Sequence, residues 1–242
     1  MKYKDQEIVI PQDQRTQIVE ESKKYADSLE KNLETIFGET FKKSLDSENL
    51  AVDRITLATT FYEMFMRTLG FETNDDNSRE TAYRVVKMFL FERGAALFNK
   101  PPVVTAFENE EGEELTRYNQ YVVVRDIPYY SMCSHHHVTF YGKAHIAYHP
   151  KDKVVGISKL ARIVHYFAAK PQLQERMTEE IINFIQEKMN PIGAMVVLTG
   201  EHLCMSSRGA KATGSVTVTS AIRGEGNGFD KNEVLTLLGD LR

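Results

Sequence analysis

Residues 131 to 150, SMCSHHHVTFYGKAHIAYHP, hold one cysteine and five of the chain's seven histidines. A second pair, His202-x-Cys204, closes a span that contains every cysteine and histidine of the chain. Thiols and imidazoles are the donors that zinc and related divalent metals take. In Cys133-x-x-His136, two side chains three apart on a turn can converge on one ion. In His202-x-Cys204, a strand would send residues two apart to the same face, so imidazole and thiol would look into one site. Cys133, His136 and Cys204 then offer two thiolates and one imidazole with a fourth position open for water. That is the donor set of a catalytic zinc site rather than a closed structural one. His135 and His202 stay free for proton transfer, a task that suits imidazole near neutral pH. On spacing alone a plainer reading competes: the histidines form a half-exposed strand end and the cysteines are small core hydrophobes.

Two further groups carry possible chemistry. In GISKLARIV, Ser158 can cap a helix whose first N–H groups attract anions, with Lys159 and Arg162 three apart on one face. Two cations at a helix start suit a polyphosphate, although such a pair is also what an ordinary solvated face looks like. In PQLQERMTEE, Gln174 and Glu175 fall in the first turn of another helix. A buried carboxylate there can accept two N–H bonds from the edge of a guanine, or it can simply complement the helix dipole.

The elements that must hold these residues follow from periodicity. Residues 12 to 37 place Ile18, Tyr25, Leu29, Leu33, Ile36 and Phe37 at helical steps, a second helix follows from about 50 to 69, and a third, TAYRVVKMFLFERGAALF, ends near residue 98. The polar run ETNDDNSRE supplies turn and cap residues before that third helix. The acidic stretch from Glu108 to Glu114 reads as a solvated hairpin tip. From residue 117 the period becomes two: RYNQYVVVRDIPYYS and HVTFYGKAHIAYHP are strand-like, and Phe140, Gly142, Ala144, Ile146 and Tyr148 share one face. Two helices fill 158 to 190, GAMVVLTGEHLCM and TGSVTVTSAIRG are further strands, and KNEVLTLLGDL is a last helix. This order indicates an α+β fold with an antiparallel sheet. The division is an N-terminal helical assembly region, residues 1–99, and a catalytic domain, residues 100–242.

With 242 residues the chain can bury about 70 to 75% of its unfolded surface. The net charge of −4, with Lys and Arg spread along the chain, lacks the footprint of a nucleic-acid binder. No stretch approaches the roughly 18 apolar residues of a membrane span, and no secretory leader is evident at the start. Two cysteines are too few for a disulfide scaffold. These features indicate a cytoplasmic protein.

Four segments in this order, CSHHHVTFYGKAHIAY, VVGISKLARIV, KPQLQERMTEEI and EHLCMSSRGAKATGSVTVTSAIRG, resemble GTP cyclohydrolase I. LGFETNDDNSRETAYRVVKMF is similar to that family's "LG…TPxRVAKM" segment, and the likeness spans about residues 50 to 240. It implies the tunnelling fold (T-fold), an antiparallel sheet with helices on one face, here with an N-terminal helical extension. It further implies pentamers stacked into a homodecamer, active sites between subunits, and one zinc per subunit. The implied reaction is hydrolysis of GTP at C8, release of formate and rearrangement to 7,8-dihydroneopterin triphosphate, feeding folate, biopterin or deazaguanine synthesis. Carried onto this chain, zinc would sit on Cys133, His136 and Cys204, with His135 and His202 as proton shuttles. Gln174 and Glu175 would hold the guanine. Ser158, Lys159, Arg162, Arg208 and Arg84 would bind the triphosphate. Ser134 stands where the family has Glu, exchanging a carboxylate for a hydroxyl beside the metal, and Ala82 replaces a Pro that helix starts do not require. Two other readings remain at this stage: a related purine or pterin enzyme of the same fold, although QueF-like reductases rely on a cysteine nucleophile rather than zinc and the paired thiols with His136 count against them, and a non-catalytic homologue that binds GTP or a regulatory partner.

Overall fold

The structure, a computed structural model, describes residues 50–109, 118–224 and 228–239. The helix expected over residues 12 to 37 lies outside them, as does the acidic tip beyond Asn109. The chain divides into two compact units, one ending at Val86 and one beginning at Lys87.

In the first unit, α1 spans Leu50–Thr68 and α2 begins at Thr81. Between them Asp75 Oδ1 accepts from the Asn77 and Ser78 amides and the Ser78 hydroxyl. The expected turn chemistry of the polar run is therefore carried by Asp75, and the Ser78 bonds hold its carboxyl below the usual range. The third predicted helix is irregular beyond its second turn. The α-helix ends at Met88, continues as a π turn over Phe89–Arg93, and after Gly94 closes in a 3₁₀ turn, Ala95–Leu97. A Cβ at Gly94 would collide with the Phe89 carbonyl, so a larger residue there would force the backbone to shift.

In the second unit, β1 (Ala106–Glu108) pairs with β4 (Lys153–Val155), and five strands form the main sheet. These are β2 (Val122–Cys133), β3 (Thr139–His149), β5 (Pro171–Gln172), β6 (Gly193–His202) and β7 (Thr217–Arg223), in the order β5-β2-β3-β6-β7. All pairs are antiparallel except the two-residue contact of β5 with β2. Two helices, α3 (Ile157–Ala168) and α4 (Gln174–Met189), cover one face. The period-two reading of β3 holds here: Phe140, Ala144, Ile146 and Tyr148 all enter this core against Leu160, Ile163, Met177, Ile181 and Ile185. Each buried side chain of this size contributes about 1.5–3 kcal/mol of apolar burial.

A smaller cluster on the other face gathers Ala147, Met195, Val197 and Phe229 with Val234 and Leu238 of the last helix. After α5, a single turn at Leu203–Ser206, that last helix is α6, Lys231–Leu238. Asp230 caps it by accepting from the Asn232 and Glu233 amides.

Candidate active site

The β2–β3 hairpin makes the first half of the site. Cys133 closes β2, its amide donates to the Val138 carbonyl, and the His137 amide donates back to the Cys133 carbonyl. Residues 134–137 therefore form a tight loop carrying His135 and His136 on its rim, while Cys133 itself is buried. His137 takes a left-handed φ of 54° at the loop's last position and meets Phe89 edge-on rather than entering the strand.

Ser134 is fastened to the segment joining β5 to α4: its amide donates to the Gln172 carbonyl at 2.9 Å, and its hydroxyl accepts from Arg176 at 3.2 Å. Arg176 also donates to the Pro171 carbonyl and to Gln172 Oε1, so α4 clamps the loop through one guanidinium. The hydroxyl standing in the family's carboxylate position thus has a defined partner. Nothing in the spacing of Ser134 and Arg176 announced it.

The second half arrives on β6. His202 lies directly opposite Phe140 in the β3–β6 register, which brings the end of β6 to the mouth of the hairpin. The expectation that His202 and Cys204 share a strand face is corrected here. The strand ends at His202, and Cys204 sits on α5, where the Ser206 and Ser207 hydroxyls bond back to the His202 and Leu203 carbonyls. Side-chain competition for the backbone accompanies the end of the ladder three residues short of the expected Met205. The helical turn nonetheless delivers the thiol to the intended place.

Ligand atoms of Cys133, His136 and Cys204 all lie within 4.8 Å of one another. Donors 2.0–2.3 Å from one tetrahedral zinc stand about 3.6–3.8 Å apart, so a small closure completes the cage. The chemistry of the set fits as well. Burial first, then the Cys133 thiol at its side, push the Cys204 thiol above its ordinary value, while Arg208 pulls it down. Two adjacent thiols both ionise only with a cation between them. His135 Nδ1 is as near to Cys133 Sγ as His136 Nδ1, 3.9 Å in each case, but His135 does not join the three-way cluster.

His202 stacks on Phe140 with centroids 4.6 Å apart and planes 2° from parallel. Burial holds its pKa below the ordinary value of 6.5, and the Glu175 carboxylate acts against this. The ring is therefore biased toward its neutral form, with the Glu175 charge near enough to act on it. Gln174, expected to hold guanine, is instead 1% exposed, with its amide spent on the Leu198 and Thr217 carbonyls, Thr219 and His202.

Ser158, Lys159 and Arg162 all lie on α3 as expected, but Ser158 is not the cap. Gly156 is, because β4 pairing ends at Val155 and the Gly156 carbonyl closes onto the Lys159 amide. Arg162 lines a cavity of about 370 Å³ with Lys100, His165 and Tyr166. Arg84 belongs to the first unit and is ion-paired with Glu80 at 2.8 Å.

An antiparallel sheet backed by two helices, with a Cys–His–Cys cluster able to hold a metal where a hairpin meets a strand end, defines a T-fold protein. The family model described as GTP cyclohydrolase I matches residues 58–238. "GTP cyclohydrolase 1" of Hydrogenobaculum sp. is 44% identical over 163 residues, 67% of this chain and 84% of that protein. The protein of the same name from Carboxydothermus hydrogenoformans is 47% identical over 66% of this chain and 81% of its own. The one from Brevibacillus brevis is 42% identical over 78% and 98%. The chain belongs to the GTP cyclohydrolase I family, a family of hydrolases.

Proposed function

We propose that this chain catalyses the GTP cyclohydrolase I reaction in the cytoplasm: water attacks C8 of GTP, that carbon leaves as formate, and the remainder closes to 7,8-dihydroneopterin triphosphate for pterin synthesis. The observation that carries this reading is the convergence of Cys133, His136 and Cys204 beside a half-buried His202. These three residues would hold one zinc, whose Lewis acidity brings water deprotonation near neutral pH. His202 takes the proton released as the oxygen attacks C8, and His135 on the hairpin rim returns one as the C8–N bond breaks. Glu175 accepts from N1–H and the 2-amino group of guanine, which places the purine edge beside His202. Ser158, Lys159, Arg162 and Arg208, with Arg84 as a further cation, bind the triphosphate.

Of the residues so named, Glu175 acts on His202 and Arg208 on Cys204, while Ser158, Lys159 and Arg162 are carried by α3. A decamer of two pentamers, with each site shared between subunits, is the arrangement that unites them. In it residues 1–99 serve assembly and residues 100–242 hold the chemistry. The test is incubation of GTP with zinc-loaded protein, following formate and the fluorescent pterin together. Loaded protein that releases no formate would rule the reading out.

A further inference from the structure

The amide of Gln174 and the imidazole of His202 form a pair whose polarity is decided elsewhere. One end of the amide lies 3.2 Å from the Leu198 carbonyl and 3.1 Å from the Thr217 carbonyl. Carbonyls only accept, so that end is the NH₂ group. Thr219 Oγ1 stands at the same end, 3.2 Å away. Its role is fixed in turn, because Thr178 gives its one hydroxyl hydrogen to the Gln174 carbonyl. In the 2.7 Å Thr178–Thr219 contact the donor is then Thr219, whose oxygen is left to accept from Gln174.

Oε1 is therefore the end that faces His202, 2.8 Å from Nε2. An acceptor opposite a ring nitrogen requires an N–H there, and in the neutral ring Nδ1 is then the bare lone pair. Stacking on Phe140, itself fully buried, fixes the plane of the ring. Space for the amide comes from Gly200, where a Cβ would collide with Gln174 Oε1 and the Tyr129 hydroxyl.

We propose that Gln174 is a positioning residue that does not meet the substrate: it locks His202 as the Nε2–H tautomer and so makes Nδ1 the atom that takes the proton. In the cycle Nδ1 gains a proton to give the imidazolium and returns it, while Nε2–H stays on Gln174 throughout. The amide cannot trade roles, because its other end is pinned by two main-chain carbonyls. The catalytic meaning rests on the cyclohydrolase reading above, but the tautomer does not.

Neutron diffraction of the metal-loaded wild-type protein at about pH 8, above the imidazole range, reads the tautomer directly. Deuterium on Nε2 aimed at Gln174 is the expected result, and a bare Nε2 overturns the proposal. Gln174→Met keeps the length and removes the acceptor. It should lower kcat by about 10²-fold or more, leave KM for GTP within about threefold and retain zinc. A raised KM with kcat preserved would put Gln174 on the substrate and also overturn it. If the variant fails to assemble, the wild-type neutron map decides. If wild-type protein releases no formate from GTP, the cyclohydrolase reading fails while the tautomer result stands.

Discussion

A thiol and an imidazole two residues apart answer differently to the same substitution. Cys204→Ala removes one corner of the metal cluster, so zinc and turnover should be lost together. His202→Ala removes the proposed proton acceptor, which lies outside the cluster. Zinc content should then stay near one per chain while kcat falls by about 10²–10⁴-fold. Metal analysis beside kcat separates the two, and zinc loss in the His202 variant would mean that the ligand set is misassigned. Glu175 is argued on the same scale. Adenine offers an acceptor at N1 and no 2-amino group, so a carboxylate that pairs with two guanine donors faces a lone pair in ATP. Mismatches of this kind correspond to about 10⁴-fold discrimination. GTP should be a substrate and ATP should not. Glu175→Gln turns one acceptor oxygen into a donor, and GTP use should fall sharply with zinc retained. Near-normal GTP turnover in that variant would leave Glu175 as a helix-end charge only.

At the scale of elements, the four long strands and the helices α3, α4 and α6 of the second unit were legible from hydrophobic period and run length, whereas the two- and three-residue strands β1, β4 and β5 were not. The even-numbered residues of β3 are the plainest case. What sequence could not show is where local side-chain bonds beat the period. Ser206 and Ser207 bend the chain into α5 just before Cys204, and Gly156 captures the start of α3 from Ser158. The two roles least visible in advance, Gln174 on His202 and Arg176 on Ser134, depend on partners 28 and 42 residues away. No spacing encodes those.

The bulge in β2 is a further device of this kind. Register shifts between Val124 and Ile127, Asp126 takes a left-handed φ of 58°, and its amide donates to His145 Nδ1. His145 is 1% exposed and is neutral in the fold, because an N–H can only be given to a bare nitrogen. Burial is the main cause of its lowered pKa. Asp126 opposes the shift, while Arg125 and Lys143 add to it. The unfolded chain thus binds a proton at 6.5 that the folded chain still refuses. Stability should be constant above that value, fall as the pH drops through it, and level off once the folded pKa is passed. Urea midpoints measured at about pH 7 and about pH 5 should differ more for wild type than for His145→Gln. Equal differences would remove His145 as the cause.

At the scale of the whole molecule, a shared site makes a prediction that a self-contained chain cannot meet. Cys133→Ala destroys the metal cluster of its own subunit but leaves α3 intact. Lys159→Ala combined with Arg162→Ala removes cations proposed to bind the triphosphate but leaves the cluster intact. Each variant alone should be nearly inactive. If metal and phosphate residues come from neighbouring subunits, co-assembly in equal amounts creates some sites with the sound half of each. Random mixing gives a sound cluster with a chance of about one half and a sound cation set beside it with about one half, so about a quarter of sites should work. Activity would be read after the two proteins are unfolded and refolded together, against the same proteins refolded apart and then mixed. Recovery in the first case alone places the triphosphate cations and the metal on different chains. If neither recovers, both halves belong to one subunit, and the chemistry assigned to Cys133, His136, Cys204 and His202 would have to be completed within a single chain.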